Sequence, residues 1–228
     1  MAKNQYEICM EVLRRFHKAG ILDGLIIIGS WCVYFYKEYF PGSDYLSTIR
    51  TRDMDLLVPL PPKFRKKADI PDMLKDLGFI TDFKGEKGYI KLDHPELIVE
   101  FLVPERGRGE DKPYKLPSLG VNAQALRFLD ILADNLIKIK VEGMEIRLPH
   151  PAAFALHKLI VQKRRSKADK AEKDRQQAIM ILEYLVSQKL GHEIRRVYRS
   201  LPKAWQKKVL DSLRELKLKD ILDLIAGT

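Results

Sequence analysis

The chain has 228 residues, with 41 Lys+Arg against 31 Asp+Glu and a formal net charge of +10. Its composition, 46% hydrophobic and 32% charged with 13 Gly and 12 Pro, is globular and excludes disordered and fibrous classes. Two cysteines, Cys9 and Cys32, cannot build a disulfide framework or a structural zinc site, which points to a reducing compartment, the cytoplasm. The opening MAKNQYEICM has no apolar signal core and no apolar run approaches a membrane span, so secreted and membrane readings are poor.

In chain order, Gln5 to Ala19 places Cys9, Leu13 and Phe16 on one helical face, with Gly20 as its stop. Leu25 to Gly29, LIIIG, is short, β-branched and closed by glycine, a buried strand. Ser30 opens WCVYFYKEYF, a helix ended by Pro41-Gly42. A second strand is predicted over residues 50–58, and a helix over residues 63–77. Residues 79–83, 89–92 and 97–103 read as strands, followed by a polar loop over residues 104–117. Residues 136–141 and 144–148 alternate around Glu142-Gly143, a hairpin signal. From Pro151 onward the strand signals stop. Helices are predicted over 151–165, 170–188, 193–199, 202–216 and 218–225. The expected architecture is an α/β (α+β) mixed sheet with flanking helices over residues 1–150, then a helical domain over residues 151–228.

Charge follows the same division. Residues 1–150 hold 23 basic and 22 acidic side chains, whereas residues 151–228 hold 18 and 9. Nearly all of the positive excess therefore lies in the helical part. That asymmetry fits either a polyanionic partner such as nucleic acid or a set of solvated lysine-rich faces.

The strongest chemical feature is Thr51-Arg52-Asp53-Met54-Asp55-Leu56-Leu57-Val58. Alternate side chains of a strand share a face, so Asp53 and Asp55 point the same way, about 7 Å apart along the backbone. Two such carboxylates repel unless a cation lies between them, and a divalent ion such as magnesium answers that need. The alternative is an exposed strand edge with two solubilising acids. Glu100 interrupts the apolar run Leu97 to Val103, where an unpartnered acid is expensive to bury. If its strand lies beside the Asp53–Asp55 strand, three acids form one cluster able to hold two metals. Gly29-Ser30 completes the set: glycine allows close approach of a phosphate, and Ser30 offers a hydroxyl and an amide. A plain strand-to-helix turn capped by Ser30 is the alternative. Neither a G-x-G-x-x-G nor a G-x-x-x-x-G-K-[ST] loop is present.

This order of strand, Gly-Ser, helix, T-x-D-x-D strand and a later acid-bearing apolar strand resembles the polymerase-β-type nucleotidyltransferase superfamily. The resemblance is closest to small prokaryotic stand-alone members and more distant to AbiEii-type toxins of toxin–antitoxin systems. It covers roughly residues 20–185 and includes a second block, Phe154 to Ile160 with Gln162-Lys163-Arg164-Arg165 and Lys173-Asp174. Glu100 stands where Asp is frequent, and Gln177 where the toxins usually carry a second acid.

The resemblance implies magnesium, or manganese, held by Asp53, Asp55 and Glu100. It further implies an NTP whose phosphates meet Gly29, Ser30, Lys158 and Arg164, with Asp174 also in the site. In-line transfer of NMP to an acceptor hydroxyl follows. The basic residues 151–228 suggest RNA, such as a tRNA end, as acceptor. A protein hydroxyl, a small molecule such as an aminoglycoside, or a cognate partner protein are the other options. The rival classes are a non-catalytic nucleic-acid-binding module and a toxin–antitoxin component, a toxin or its neutralised partner, either one retaining the fold.

Helix spacing bears on the second block independently. Phe154, Lys158 and Val161 share a stripe, and Asp174 shares a face with Ala178, Ile181 and Leu185. A Lys158–Asp174 or Arg164–Asp174 pair would explain both placements, either as a structural ion pair or as triphosphate chemistry. His157 and His150 read as packing and helix-leading residues. The aromatics Trp31, Tyr34, Phe35, Tyr36, Tyr39 and Phe40 read as core with one ring available for a base. Arg106 and Arg108 are either phosphate clamps or solvated loop charges.

Overall fold

A computed structural model describes residues 2–40, 51–107 and 112–227. Its contacts divide the chain into two compact units, Met1–Pro149 and His150–Thr228.

The first unit opens with helix α1 (Ala2–Ala19), which buries Cys9, Met10, Val12, Leu13 and Phe16 completely. Removing a side chain such as Phe16 from water is worth roughly 1.5–3 kcal/mol. Strand β1 (Ile26–Ile28) is buried along its whole length and leads through Gly29 into α2 (Ser30–Phe35), extended by a 3-10 turn over Tyr36–Glu38. Strands β2 (Asp53–Leu57), β3 (Ile80–Lys84), β4 (Tyr89–His94) and β5 (Leu97–Pro104) join it in the order β1-β2-β5-β4-β3. Strand β6 (Tyr114–Leu116) pairs with β7 (Val121–Leu126), which also joins β5. The β2–β5 and β5–β7 ladders are parallel and the other pairings antiparallel, so the sheet is mixed. Helix α1 packs on β5, and α2 on β1 and β2. Short helices α3 (Ile70–Lys75) and α4 (Asp130–Asp134) and the hairpin of β8 (Leu136–Val141) and β9 (Met144–Pro149) complete the unit.

The helix expected over residues 63–77 is confined to Ile70–Lys75. Asp69 is the reason: its side chain accepts a hydrogen bond from the Asp72 amide, and Pro71 lies in the first turn. Residues 63–67 carry four cations and one half-buried aromatic, too little apolar stripe to hold a helix on a core. Strands β6 and β7 were not legible because Asn122, Ala123, Gln124 and Ala125 lack the β-branched and aromatic signature of strands. The Pro41-Gly42 stop, the first residue of the predicted 50–58 strand and Arg108 lie outside the described residues.

The second unit is helical: α5 (Pro151–Val161), α6 (Ala168–Ser187), α7 (Gly191–Ser200), α8 (Lys203–Glu215) and α9 (Lys219–Ala226). Helix α5 is apolar nearly all round and accordingly central, packed on α6, α7 and α8. Ser212 Oγ on α8 donates to the Leu159 carbonyl at 2.8 Å, tying α8 to it. The fold begins α5 with a dedicated cap: His150 Nδ1 accepts from the Ala152 amide at 3.2 Å. Among the described residues, no helix is long and apolar enough to cross a membrane.

Candidate active site

Strand alternation divides the sheet into two unlike faces. Met54, Leu56 and Val58 are fully buried, as are Val99 and Val103 on the neighbouring β5. The intervening positions carry the acids: Asp53 is exposed, while Asp55 and Glu100 are half-buried. The parallel register places Asp55 directly opposite Glu100, and Asp53 opposite Ile98. Adjacent strands lie about 4.8 Å apart, so Asp55 and Glu100 are immediate neighbours on one face. The predicted juxtaposition of the two acid-bearing strands is therefore present in the sheet.

On the other flank of β2, Ile28 pairs with Asp55, and the next residue, Gly29, turns the chain into α2. Gly29 has φ +72°, a conformation that favours glycine. A Cβ at this position would lie 2.4 Å from Asp55 Oδ2, so the turn and the carboxylate are in intimate contact. Gly29, Ser30, Asp55 and Glu100 thus occupy one end of the β1–β2–β5 ladder. Asp53 lies one step along the same face.

Glu100 has a partner that the sequence did not reveal. Lys84 Nζ on the edge strand β3 donates to Glu100 Oε1 at 3.3 Å, and Lys91 stands opposite Glu100 in the β4–β5 register. Lys84 follows the run 79–83 by one residue, and only the β3–β4–β5 pairing brings it to the acid.

Among the described residues, no three His, Cys, Asp or Glu side chains converge into a metal cage. Magnesium does not require one, since it is commonly held by one or two carboxylates together with substrate phosphates. Asp53 and Asp55 provide hard oxygen donors on one rigid strand and fit that ion by donor chemistry.

The second block forms an ion-pair centre within the helical unit. Lys158 on α5 and Asp174 on α6 are 8% and 3% exposed, and Lys158 Nζ pairs with Asp174 Oδ1. Arg165 Nε donates to Asp174 Oδ2 at 2.6 Å. Burial opposes ionisation of Asp174, but Lys158 and Arg165 outweigh it and hold the carboxyl below its ordinary range. Of the two predicted pairings, Lys158–Asp174 is present, and the arginine at the carboxylate is Arg165. Helix α5 ends at Val161, a 3-10 turn covers Gln162–Arg164, and extended Arg165 redirects the chain. Arg164 is exposed on that turn. Beside the pair, burial lowers the His157 pKa to about 3, so its ring is neutral. His157 Nε2 is buried without a hydrogen-bond partner.

The remaining candidates divide plainly. Trp31, Phe35, Tyr36 and Phe40 are buried, and Tyr36 OH donates to the Pro149 carbonyl at 2.9 Å, so the aromatic cluster is chiefly core. Arg106 pairs with Asp130 at 3.1 Å.

A protein-family model described as nucleotidyltransferase matches residues 7–203. No curated protein is a significant match. Among solved structures, an antigenic nucleotidyltransferase-like protein from Paracoccidioides brasiliensis is similar, with a TM-score of 0.50 and 14% identity. That match covers 96% of this chain and 92% of the other. The antibiotic-resistance factor ANT(2'')-Ia is also similar, at a TM-score of 0.47 and 13% identity over 88% of this chain and 94% of that one. A second structure of it, in complex with adenylyl-2''-tobramycin, gives 0.47 and 12%, covering 86% and 99%. With a family match across most of its length and a nucleotidyltransferase-like mixed sheet, the chain belongs to the nucleotidyltransferase family.

Proposed function

We propose that the protein transfers NMP from an NTP to an acceptor hydroxyl, with RNA as the acceptor and Asp53, Asp55 and Glu100 as the catalytic acids. The observation that carries this reading is the register of Asp55 opposite Glu100, with Gly29 against the Asp55 carboxylate. Magnesium or manganese, when bound, would neutralise phosphate charge and lower the barrier to attack at the α-phosphorus. Asp53 and Asp55 would hold that ion. Glu100 would orient the acceptor hydroxyl and take up its proton, once released from Lys84. The Gly29 and Ser30 turn would seat terminal phosphate oxygens against backbone amides. Lys158 and Arg164 are assigned to charge on the leaving pyrophosphate, with Asp174 orienting Lys158. Most of the rate would come from positioning and charge complementarity rather than from covalent chemistry.

The acceptor assignment rests on the 18 basic against 9 acidic residues of 151–228. A protein hydroxyl or an aminoglycoside would meet the same acids but would not use that charge. The test is to incubate the protein with each labelled NTP and magnesium against total RNA, cell protein and aminoglycosides. Label in RNA, lost in Asp53→Asn and on chelation, is expected. Label in protein or drug alone refutes the RNA acceptor, and no label anywhere refutes the transferase reading.

A further inference from the structure

A cavity of about 630 Å³ lies at the opposite end of the β1–β2 ladder from the acids, inside the first unit. The ladder runs from Ile28 opposite Asp55 to Ile26 opposite Leu57. The cavity lies beyond the latter end, between Gly24 before β1 and Pro59 to Arg65 after β2. Its volume falls in the range of small-molecule sites.

Its lining combines two chemistries. Pro59, Pro61 and Phe64 supply apolar wall. The Phe64 ring is seated on Gly24 so closely that a Cβ there would lie 2.4 Å from Cε1, which fixes the ring at the cavity. Lys63, Arg65 and Arg147 supply positive charge against one lining carboxylate, Asp23. Among the described residues, Lys63 and Arg65 have no carboxylate partner. Arg147 is half-buried, and its one hydrogen bond among the described residues runs from Nη1 to the Asp23 carbonyl at 2.6 Å. That bond orients the guanidinium and leaves further N–H donors for a ligand.

Unpaired cations beside a fixed aromatic ring and proline walls suit an anion that carries a flat ring. Arg and Lys recognise phosphate by charge-assisted hydrogen bonds, and Phe offers a stacking surface. We propose that this cavity is a second, non-catalytic site for a nucleotide unit, either a free nucleoside phosphate or one residue of an RNA chain. It is formed without the catalytic acids and does not depend on the transfer reading.

The experiment measures binding in EDTA by fluorescence anisotropy, with labelled AMP and, separately, labelled oligoadenylate of about ten nucleotides. Lys63→Glu with Arg65→Glu is expected to weaken whichever probe binds by about tenfold or more. Phe64→Leu is expected to weaken it by about threefold or more. The control, Lys112→Glu with Lys115→Glu, changes two exposed lysines of the same unit outside the cavity. Binding of AMP identifies a free nucleotide, and binding of the oligonucleotide alone identifies an RNA chain. Photolabelling with azido-AMP or an azido-bearing oligonucleotide should mark residues 59–67. Absence of saturable binding, equal loss in the control, or photolabel confined to residues 29–36 would overturn the proposal.

Discussion

The two units handle buried or half-buried carboxylates in opposite ways. In the sheet, Asp55 and Glu100 lie side by side on a partly open face, where Lys84, 60% exposed at its side chain, pairs with Glu100. In the helices, Asp174 is enclosed by Lys158 and Arg165. Adjacent like charges on an open surface cost little while water screens them, and gain most when a ligand cation arrives. A carboxylate in a closed core must carry its counter-charge permanently. The first arrangement can admit a ligand cation, and the second joins α5 to α6 and fixes the Lys158 ammonium in place.

That contrast can be broken experimentally, starting with the largest effect. Asp55→Asn should lower NMP transfer about 10³-fold or more, equivalent to about 4 kcal/mol in the barrier. Its unfolding free energy in urea should stay within about 0.5 kcal/mol of wild type. A large loss of stability would make Asp55 a structural acid instead.

Asp174→Ala should act on the fold itself, destabilising the protein by about 3–5 kcal/mol because Lys158 is left buried without its carboxylate. Replacing both partners, as Lys158→Met with Asp174→Leu, should recover much of that loss in the same denaturation experiment. If the double variant is as unstable as the single, the pair contributes more than charge compensation.

Acidification should weigh on the helical unit by a comparable amount. Burial lowers His150 to about 4 and His157 to about 3, both in the helical unit. The unfolded chain takes up these protons from about pH 6.5, whereas the folded chain does not. Stability is therefore full above that pH and declines toward pH 4, by about 3 kcal/mol for His150 alone. His150→Asn keeps an N-cap acceptor while removing the titration, so it should flatten the decline by roughly half. An unchanged slope in thermal melts would show that His150 is already protonated in the fold.

The smallest expected effect concerns the contact between Lys84 and Glu100. Lys84→Ala removes an exposed ion pair and should change stability by less than about 1 kcal/mol. It should tighten magnesium or manganese binding severalfold, as read by titration calorimetry, since Glu100 loses a competing cation. Weaker metal binding would instead make Lys84 a supporting member of the site.

How much of this was legible in the sequence depended on whether the signal was local. The Asp53–Asp55 strand announced itself by alternation into Leu56 and Leu57, and β1 by three consecutive isoleucines. Helix α5 was visible because apolar residues crowd every face of it. Pairing partners were less accessible. Lys84 and Glu100 meet through two intervening strand pairings, which no spacing rule encodes. Arg164 and Arg165 are adjacent in an otherwise identical context, and only the 3-10 turn decides which one reaches Asp174. Strand β7 carries small and amide side chains because β5 and β6 supply its pairing. Its sequence therefore holds little β signal of its own.

The turn at Gly29 has a diagnostic consequence. Substitution there is opposed both by its backbone conformation and by the Asp55 oxygen that would touch the first added carbon. The strain would fall on the carboxylate's orientation, while the isoleucine strand before it stays buried. A copy of this protein with a side chain at position 29 should therefore fold and yet misalign the Asp55 carboxylate.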